Sequence, residues 1–194
     1  MKRLIELANK IKNKELKKKT IELLENQKIS NKSIKYPKAN LEKVQPWIAS
    51  HHAYEGGLID HIVSVTEISI AMAQTFEKVY KEKINIDYVI AGALLHDIMK
   101  VFIVKEDGKE LTGAKLDHAV FSAAELYSRG FPEEVVDIVA SHGGEMGAHG
   151  ANPRTIEAFI VFQADMADSA GESFIHPQAS PFQFMLMGGE EDEN

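Results

Sequence analysis

Residues 87–100 read DYVIAGALLHDIMK, and this stretch decides the fold. Val89, Ile90, Ala91, Ala93, Leu94 and Leu95 leave no polar face between Tyr88 and Met99, and a helix that is apolar all round belongs in an interior. Asp87 is its expected N-cap. The helix ends on His96 and Asp97. An ionised carboxylate against an apolar wall is costly unless its charge is compensated, and a divalent cation is the strongest compensator. A neighbouring His-Asp pair at a helix end can aim both side chains at one ion.

Outward from this segment, helical periodicity dominates. Gly56 and Gly57 open a predicted helix over 58–79, with Ile62, Val65, Ile68, Met72 and Phe76 along one stripe. Further helices are expected over 117–129, ended by Gly130; over 132–141, with Pro132 in the first turn; and over 153–170, ended by Gly171. Residues 1–27 read as one or two amphipathic helices, 27–40 as an irregular polar connection, and 41–50 as a short helix interrupted at Pro46. Weak alternation over 101–111 around Asp107 and Gly108 predicts a small ribbon, the only sheet expected. The fold class is therefore all-α with one small β-hairpin. The expected organisation is a basic helical arm over 1–40 packed on the core, a main domain over 41–175, and a C-terminal segment over 176–194 whose acidic end is disordered.

The chain has 194 residues, 44% of them apolar, which favours one compact domain. It has no cysteine, which excludes disulfides, thiolate nucleophiles and thiolate metal sites, so a metal here must be held by imidazole and carboxylate. No Gly-rich phosphate loop or nucleophile-elbow serine is present. The longest apolar run, 88–95, is too short to cross a bilayer, and residues 1–19 lack the apolar core of a signal peptide, so a cytoplasmic protein is expected. Residues 1–45 carry 13 Lys and Arg against 5 Asp and Glu, net +8, and leave −15 for the remainder. The lysines of the basic arm alternate with Leu4, Ile5, Leu7, Ile11, Leu16 and Ile21, the pattern of a solvated helix face rather than of a nucleic-acid contact.

Two more titratable groups intrude on apolar faces. His61 lies between Ile59 and Ile62, and Asp165 follows Phe159, Ile160, Val161 and Phe162. Taken singly, a buried His is usually a satisfied core residue and a buried Asp usually a cap or ion-pair member. The coincidence across three helices shifts that balance, because Lys100 is the only basic residue near enough in sequence to pair with either aspartate. Mixed nitrogen and oxygen donors suit Mn, Fe, Co, Ni or Zn better than Ca or Mg.

The order His61, His96 with Asp97, then Asp165 resembles the H...HD...D signature of the HD superfamily of metal-dependent phosphohydrolases, and HDIMK (96–100) is similar to its usual HDIGK. Four segments, HHAYEGGLIDH (51–61), AGALLHDIMK (91–100), SHGGEMG (141–147) and ADMADS (164–169), resemble the HD portion of YhaM-type 3'-5' exoribonucleases. The likeness spans roughly 40–172. It departs in two places: residues 1–40 cannot form the oligonucleotide-binding domain of those enzymes, and Gly143 stands where they carry a second histidine.

The resemblance implies an HD-domain helical bundle. It places His61, His96, Asp97 and Asp165 on a first divalent ion and His118 and His142 on a second, with Asp97 bridging. A single ion, with His118 and His142 gripping phosphate, is the alternative. It also implies a metal-bound hydroxide that cleaves a phosphomonoester or phosphodiester, with a small phosphate ester or nucleotide as substrate. Nucleic acid is disfavoured by the acidic body; no membrane partner is expected, and self-association stays open. Two other readings fit the same residues: a mixed-valence di-iron oxygenase, and a non-catalytic metal-dependent regulatory module. Lys100, about one turn beyond His96, is expected to place a cation on substrate phosphate or to neutralise the acids. His51, His52 and Glu55, in a loop at the mouth, suit leaving-group protonation or support of a ligand. Asp168, one turn after Asp165, is suited to orienting a ligand. Ser141 and Arg154 read as cap or surface residues, and His149 and His176 as bystanders.

Overall fold

The computed structural model describes residues 1–46, 51–105, 110–144 and 151–176. Seven α-helices occur among them: α1 (Lys2–Ala8), α2 (Lys14–Glu25), α3 (Gly57–Tyr80), α4 (Ile86–Leu95), α5 (His118–Ser128), α6 (Glu133–Ser141) and α7 (Ile156–Ile175), with a 3-10 helix, Ile98–Phe102, after α4. Every residue of α4 from Val89 to Leu95 is buried. It is surrounded by α2, α3, α6 and α7, so each of its large apolar side chains contributes about 1.5–3 kcal/mol of burial.

The approach of α4 to α6 depends on a missing side chain. A Cβ at Gly92 would stand 2.4 Å from Cγ2 of Ile138. His96 and His142 each follow that crossing by four residues, about one turn. The crossing therefore sets the separation of the two imidazoles.

Leu4, Leu7, Ala8 and Ile11 of the first helix and its turn, with Leu16, Leu23 and Leu24 of α2, share one apolar cluster with Leu58, Ile62, Ile90 and Leu94. The exposed edges are tied by ion pairs from Arg3 to Asp60 and from Lys10 to Glu67. The buried Glu125 of α5 accepts hydrogen bonds from the Ser30 amide, at 2.8 Å, and its hydroxyl, at 2.6 Å, and so anchors the polar connection after α2.

Several local expectations are corrected. The N-cap of α4 is Asn85, whose side chain accepts from the Tyr88 amide. Asp87 instead accepts from the Lys12 and Asn13 amides at 2.9 and 2.8 Å, pinning the turn between α1 and α2. The helix also stops at Leu95 rather than Met99: His96 is its C-cap, and Asp97 leaves helical geometry at φ −110°, ψ 4°. Pro132 is the N-cap of α6 rather than its first helical residue. α7 starts after the Thr155 cap and runs through Gly171 to Ile175, because one glycine costs a helix only about 1 kcal/mol and Ser173 beyond it is buried.

Residues 41–46 form turns and not a helix. Among the described residues the ribbon consists of one antiparallel bridge between Val104 and Leu111, flanked by the Lys105 amide to the Glu110 carbonyl and the Thr112 amide to the Ile103 carbonyl, both 2.8 Å. Its expected turn, Asp107 and Gly108, lies outside the described residues, as do His149 and the acidic C-terminus. No helix among the described residues is long and apolar enough to cross a membrane.

Candidate metal centre

Asp97 stands at the middle of the site because the chain turns immediately after α4. Its Oδ2 lies 3.3 Å from His61 Nε2, 3.4 Å from His96 Nε2 and 2.6 Å from Lys100 Nζ. Its Oδ1 lies 3.5 Å from both His118 Nε2 and His142 Nε2. Two imidazole pairs result: His61 Nε2 and His96 Nε2 are 3.1 Å apart, and so are His118 Nε2 and His142 Nε2. Asp165 Oδ1 joins the first pair, 3.3 Å from His61 Nε2. All six residues singled out as candidate ligands thus come together, carried by α3, the end of α4, the start of α5, the end of α6 and the middle of α7.

The outer nitrogen of each ring fixes what the inner one can do. His96 Nδ1 donates to the Ala93 carbonyl and His142 Nδ1 to the Val139 carbonyl, both at 2.7 Å. His61 Nδ1 donates to Asp168 Oδ2 at 2.7 Å, and His118 Nδ1 is 3.2 Å from Asp117 Oδ2. A neutral imidazole that donates through Nδ1 keeps a lone pair on Nε2. In their neutral forms His61, His96 and His142 therefore turn Nε2 lone pairs toward a carboxylate, and Asp97 Oδ1, fully enclosed, has no hydrogen-bond donor among the described residues. Such a set repels itself unless a cation lies within it. The C-termini of α4 and α6 point their negative dipole ends at the same place. The residues fit a divalent metal, and His61, His96 and Asp165 form one group able to hold an ion, with His96, Asp97 and His142 another.

Acid-base behaviour records the same field. Burial works against charge on His61, yet Asp165, Asp168 and Asp97 hold its pKa well above the usual imidazole range. His142 is raised as well, with burial outweighed by Asp97. Burial, followed by the Lys100 charge, pushes His118 the other way. Asp97 stays well below the ordinary carboxylate range because Lys100, His96, His142 and His61 overcome its desolvation. Asp165 is likewise lowered against burial, chiefly by His61.

The surrounding residues sort differently from their loop positions. His52 is buried: its Nε2 is 2.9 Å from Asp168 Oδ2 and its Nδ1 3.0 Å from the Tyr54 hydroxyl. Of its two expected roles, these contacts match support of a ligand. The His51 ring centroid is 4.8 Å from that of His61, and its pKa is pushed down to about 3 by burial first and then by the charges of His61 and Lys100. Lys100 is buried on Asp97. Glu55 is exposed, Ser141 Oγ donates to the Asp137 carbonyl, the Arg154 amide lies 3.4 Å from Asp137 Oδ2, and His176 caps α7 in solvent.

Sequence reasoning passed over Asp117, Tyr54 and the carbonyls of Ala93 and Val139. A usable signal exists for the carbonyls: a His placed just after a helix can reach back to the carbonyl three residues earlier, and His96 and His142 both do.

Residues 58–170 match the family model described as "HD domain". Over 173 residues the chain is 50% identical to dihydroneopterin 2',3'-cyclic phosphate phosphodiesterase of Methanocaldococcus jannaschii, covering 87% of this chain and 69% of that relative. Over 119 residues it is 35% identical to tRNA (cytidine(56)-2'-O)-methyltransferase of Thermoplasma volcanium, covering 56% of this chain but only 30% of that protein. No solved structure matches the chain. With more than half of its length matched, over the helices that carry the histidines and aspartates, this chain belongs to the HD domain family and is a metal-dependent phosphohydrolase.

Proposed function

We propose that the chain hydrolyses a cyclic phosphodiester of a small nucleotide-like molecule at a two-ion centre bridged by Asp97. His61, His96 and Asp165 would complete the first ion's shell, and His118 and His142 the second's. The observation that carries this reading is the orphaned Asp97 Oδ1 among inward-turned Nε2 atoms. The relative's named substrate, a 2',3'-cyclic phosphate, supports the cyclic diester as the substrate class. Nitrogen and oxygen donors select Mn, Fe, Co, Ni or Zn.

Bound ions of this kind polarise a phosphoryl oxygen and make water acidic enough to attack near neutral pH. The chain's residues set up the rest. Lys100 holds Asp97 by a 2.6 Å charge-assisted bond, which keeps the carboxylate ionised and leaves a positive charge beside an incoming phosphate. His118 and Asp165 keep 20% and 17% of their side-chain surface open while Asp97 keeps 1%, so substrate is met on their side. Hydrolysis adds the elements of water across one P–O ester bond and leaves a phosphomonoester and a hydroxyl.

The segments similar to exoribonucleases bring a second substrate class, an RNA 3' end. A net charge of −15 outside residues 1–45 repels a long polyanion, and the small substrate is preferred.

Metal-depleted protein supplied with Mn, Fe or Zn should open 2',3'-cyclic nucleotides and cleave bis-p-nitrophenyl phosphate, with chelator abolishing both. Failure on every phosphoester with every metal would overturn the proposal. Degradation of single-stranded RNA at a comparable rate would replace the substrate class.

A further inference from the structure

We infer that Asp168, held by His52, which Tyr54 in turn holds, is the positioning residue that keeps a proton on His61 Nδ1 and leaves Nε2 for an ion. This rests on the proposed metal centre and adds a part to it. Asp168 lies one turn beyond Asp165 on α7 and is itself buried. Its Oδ2 takes 2.7 Å and 2.9 Å contacts from His61 Nδ1 and His52 Nε2. An ionised carboxylate only accepts hydrogen bonds, so His61 carries a proton on Nδ1, and Nε2 is the ring atom left to bind an ion. The negative charge also makes the Nε2 lone pair more basic. His96 and His142 lean on neutral carbonyls instead.

The clamp is built at a cost. His52 adopts φ 50°, in the left-handed region where a non-glycine residue is strained by roughly 1–2 kcal/mol. Its carbonyl lies where a Cβ on residue 57 would stand only 2.0 Å away, a position open because residue 57 is glycine. Strain persists where surrounding contacts over-determine it, and here they do: the Tyr54 hydroxyl, 3.0 Å from His52 Nδ1, donates to Asp60 Oδ2 at 2.9 Å, and Asp60 pairs with Arg3 of α1. A continuous polar line thus runs from the first helix to His61. None of its members between Arg3 and Asp168 is needed to touch substrate.

Two readouts test this without turnover: Mn2+ titration of the metal-depleted full chain, and 15N–1H spectra of the His61 ring. D168N keeps the size and can still accept from His61, but loses the charge. It should weaken the tighter Mn2+ site by about 10–100-fold and shift the 15N–1H signal of the His61 Nδ1 proton, which loses its charged acceptor, while helix content stays constant. H52Q leaves Asp168 in place without its clamp and should move both readouts the same way by a smaller factor; it decides the matter if D168N does not fold. Unchanged Mn2+ affinity and an unchanged His61 Nδ1–H signal in the folded variants would overturn the inference while wild-type Mn2+ binding keeps the metal centre. Wild type that takes up no Mn2+ would overturn both.

Discussion

The two halves of the site differ in what stands behind the metal-facing atoms. On the α3–α7 side, His61 is sealed, backed by the Asp168 carboxylate and joined by Asp165. On the α5–α6 side, His118 opens a helix with a fifth of its side-chain surface in solvent, and its partner Asp117 is mostly buried, with 15% of its side chain exposed. The fields are less sharply divided: carboxylates lift His61, and on the other side burial and Lys100 depress His118 while Asp97 raises His142. Under the proposed ligand assignment, the first half is the more anionic pocket, and its Asp165 and the second half's His118 together face solvent and substrate. Asp97, with one oxygen on each side, is the only residue common to both.

Changing that shared residue should have the largest effect. Asp97→Ala removes the proposed bridging ligand and strands Lys100, so metal uptake and phosphodiester turnover should both fall well beyond the roughly 100-fold typical of losing a supporting partner; elemental analysis and a bis-p-nitrophenyl phosphate assay measure it. The halves should then separate. His61→Ala should lose the tight ion and activity together, whereas His118→Ala should retain one tightly held ion per chain while losing most activity. Equal metal loss in both variants would erase the distinction.

Next in size is the crossing that sets the His96–His142 distance. Gly92→Ala places a methyl group against Ile138, and overpacking of this kind costs about 1–3 kcal/mol. Melting should register that loss, and Ile138→Ala in the same chain should return part of it along with the second ion.

The smallest expected effect is in the pH response. Ligands must shed protons before binding metal. His61, raised above its ordinary value, still competes with protons above pH 6.5, and His118, lowered, does not. Affinity of the α3–α7 half should therefore fall as pH drops from 8 to 6, by up to about tenfold per unit for each proton displaced; in the α5–α6 half the raised His142 adds to the loss while His118 does not. Calorimetric titration of His118→Ala at several pH values isolates the first half; a flat profile would contradict the sign.

Much of the helical plan and the candidate residues could be read from the chain because the signals are local. A stripe of apolar residues repeats along α3, α4 has no polar face, and His61, His96, Asp97 and Asp165 interrupt apolar runs. What escaped depends on contacts between distant segments. Asp87 reads as a cap for its own helix, yet its carboxylate is drawn to the Lys12 and Asn13 amides. His52 reads as a loop residue because its partner, Asp168, is 116 positions away. Gly92 reads as a small residue in a buried helix until Ile138 is placed against it. The end of α4 at Leu95 follows from the turn that swings Asp97 into the centre, and no capping residue announces it.

Anomalous diffraction from crystals of the metal-depleted protein soaked in Mn2+ is the most direct test of the bridging role of Asp97. Two peaks should appear, one beside each Asp97 oxygen, the first within reach of His61, His96 and Asp165 and the second within reach of His118 and His142. A lone peak away from Asp97, or none in crystals that still contain all six side chains in order, would contradict it.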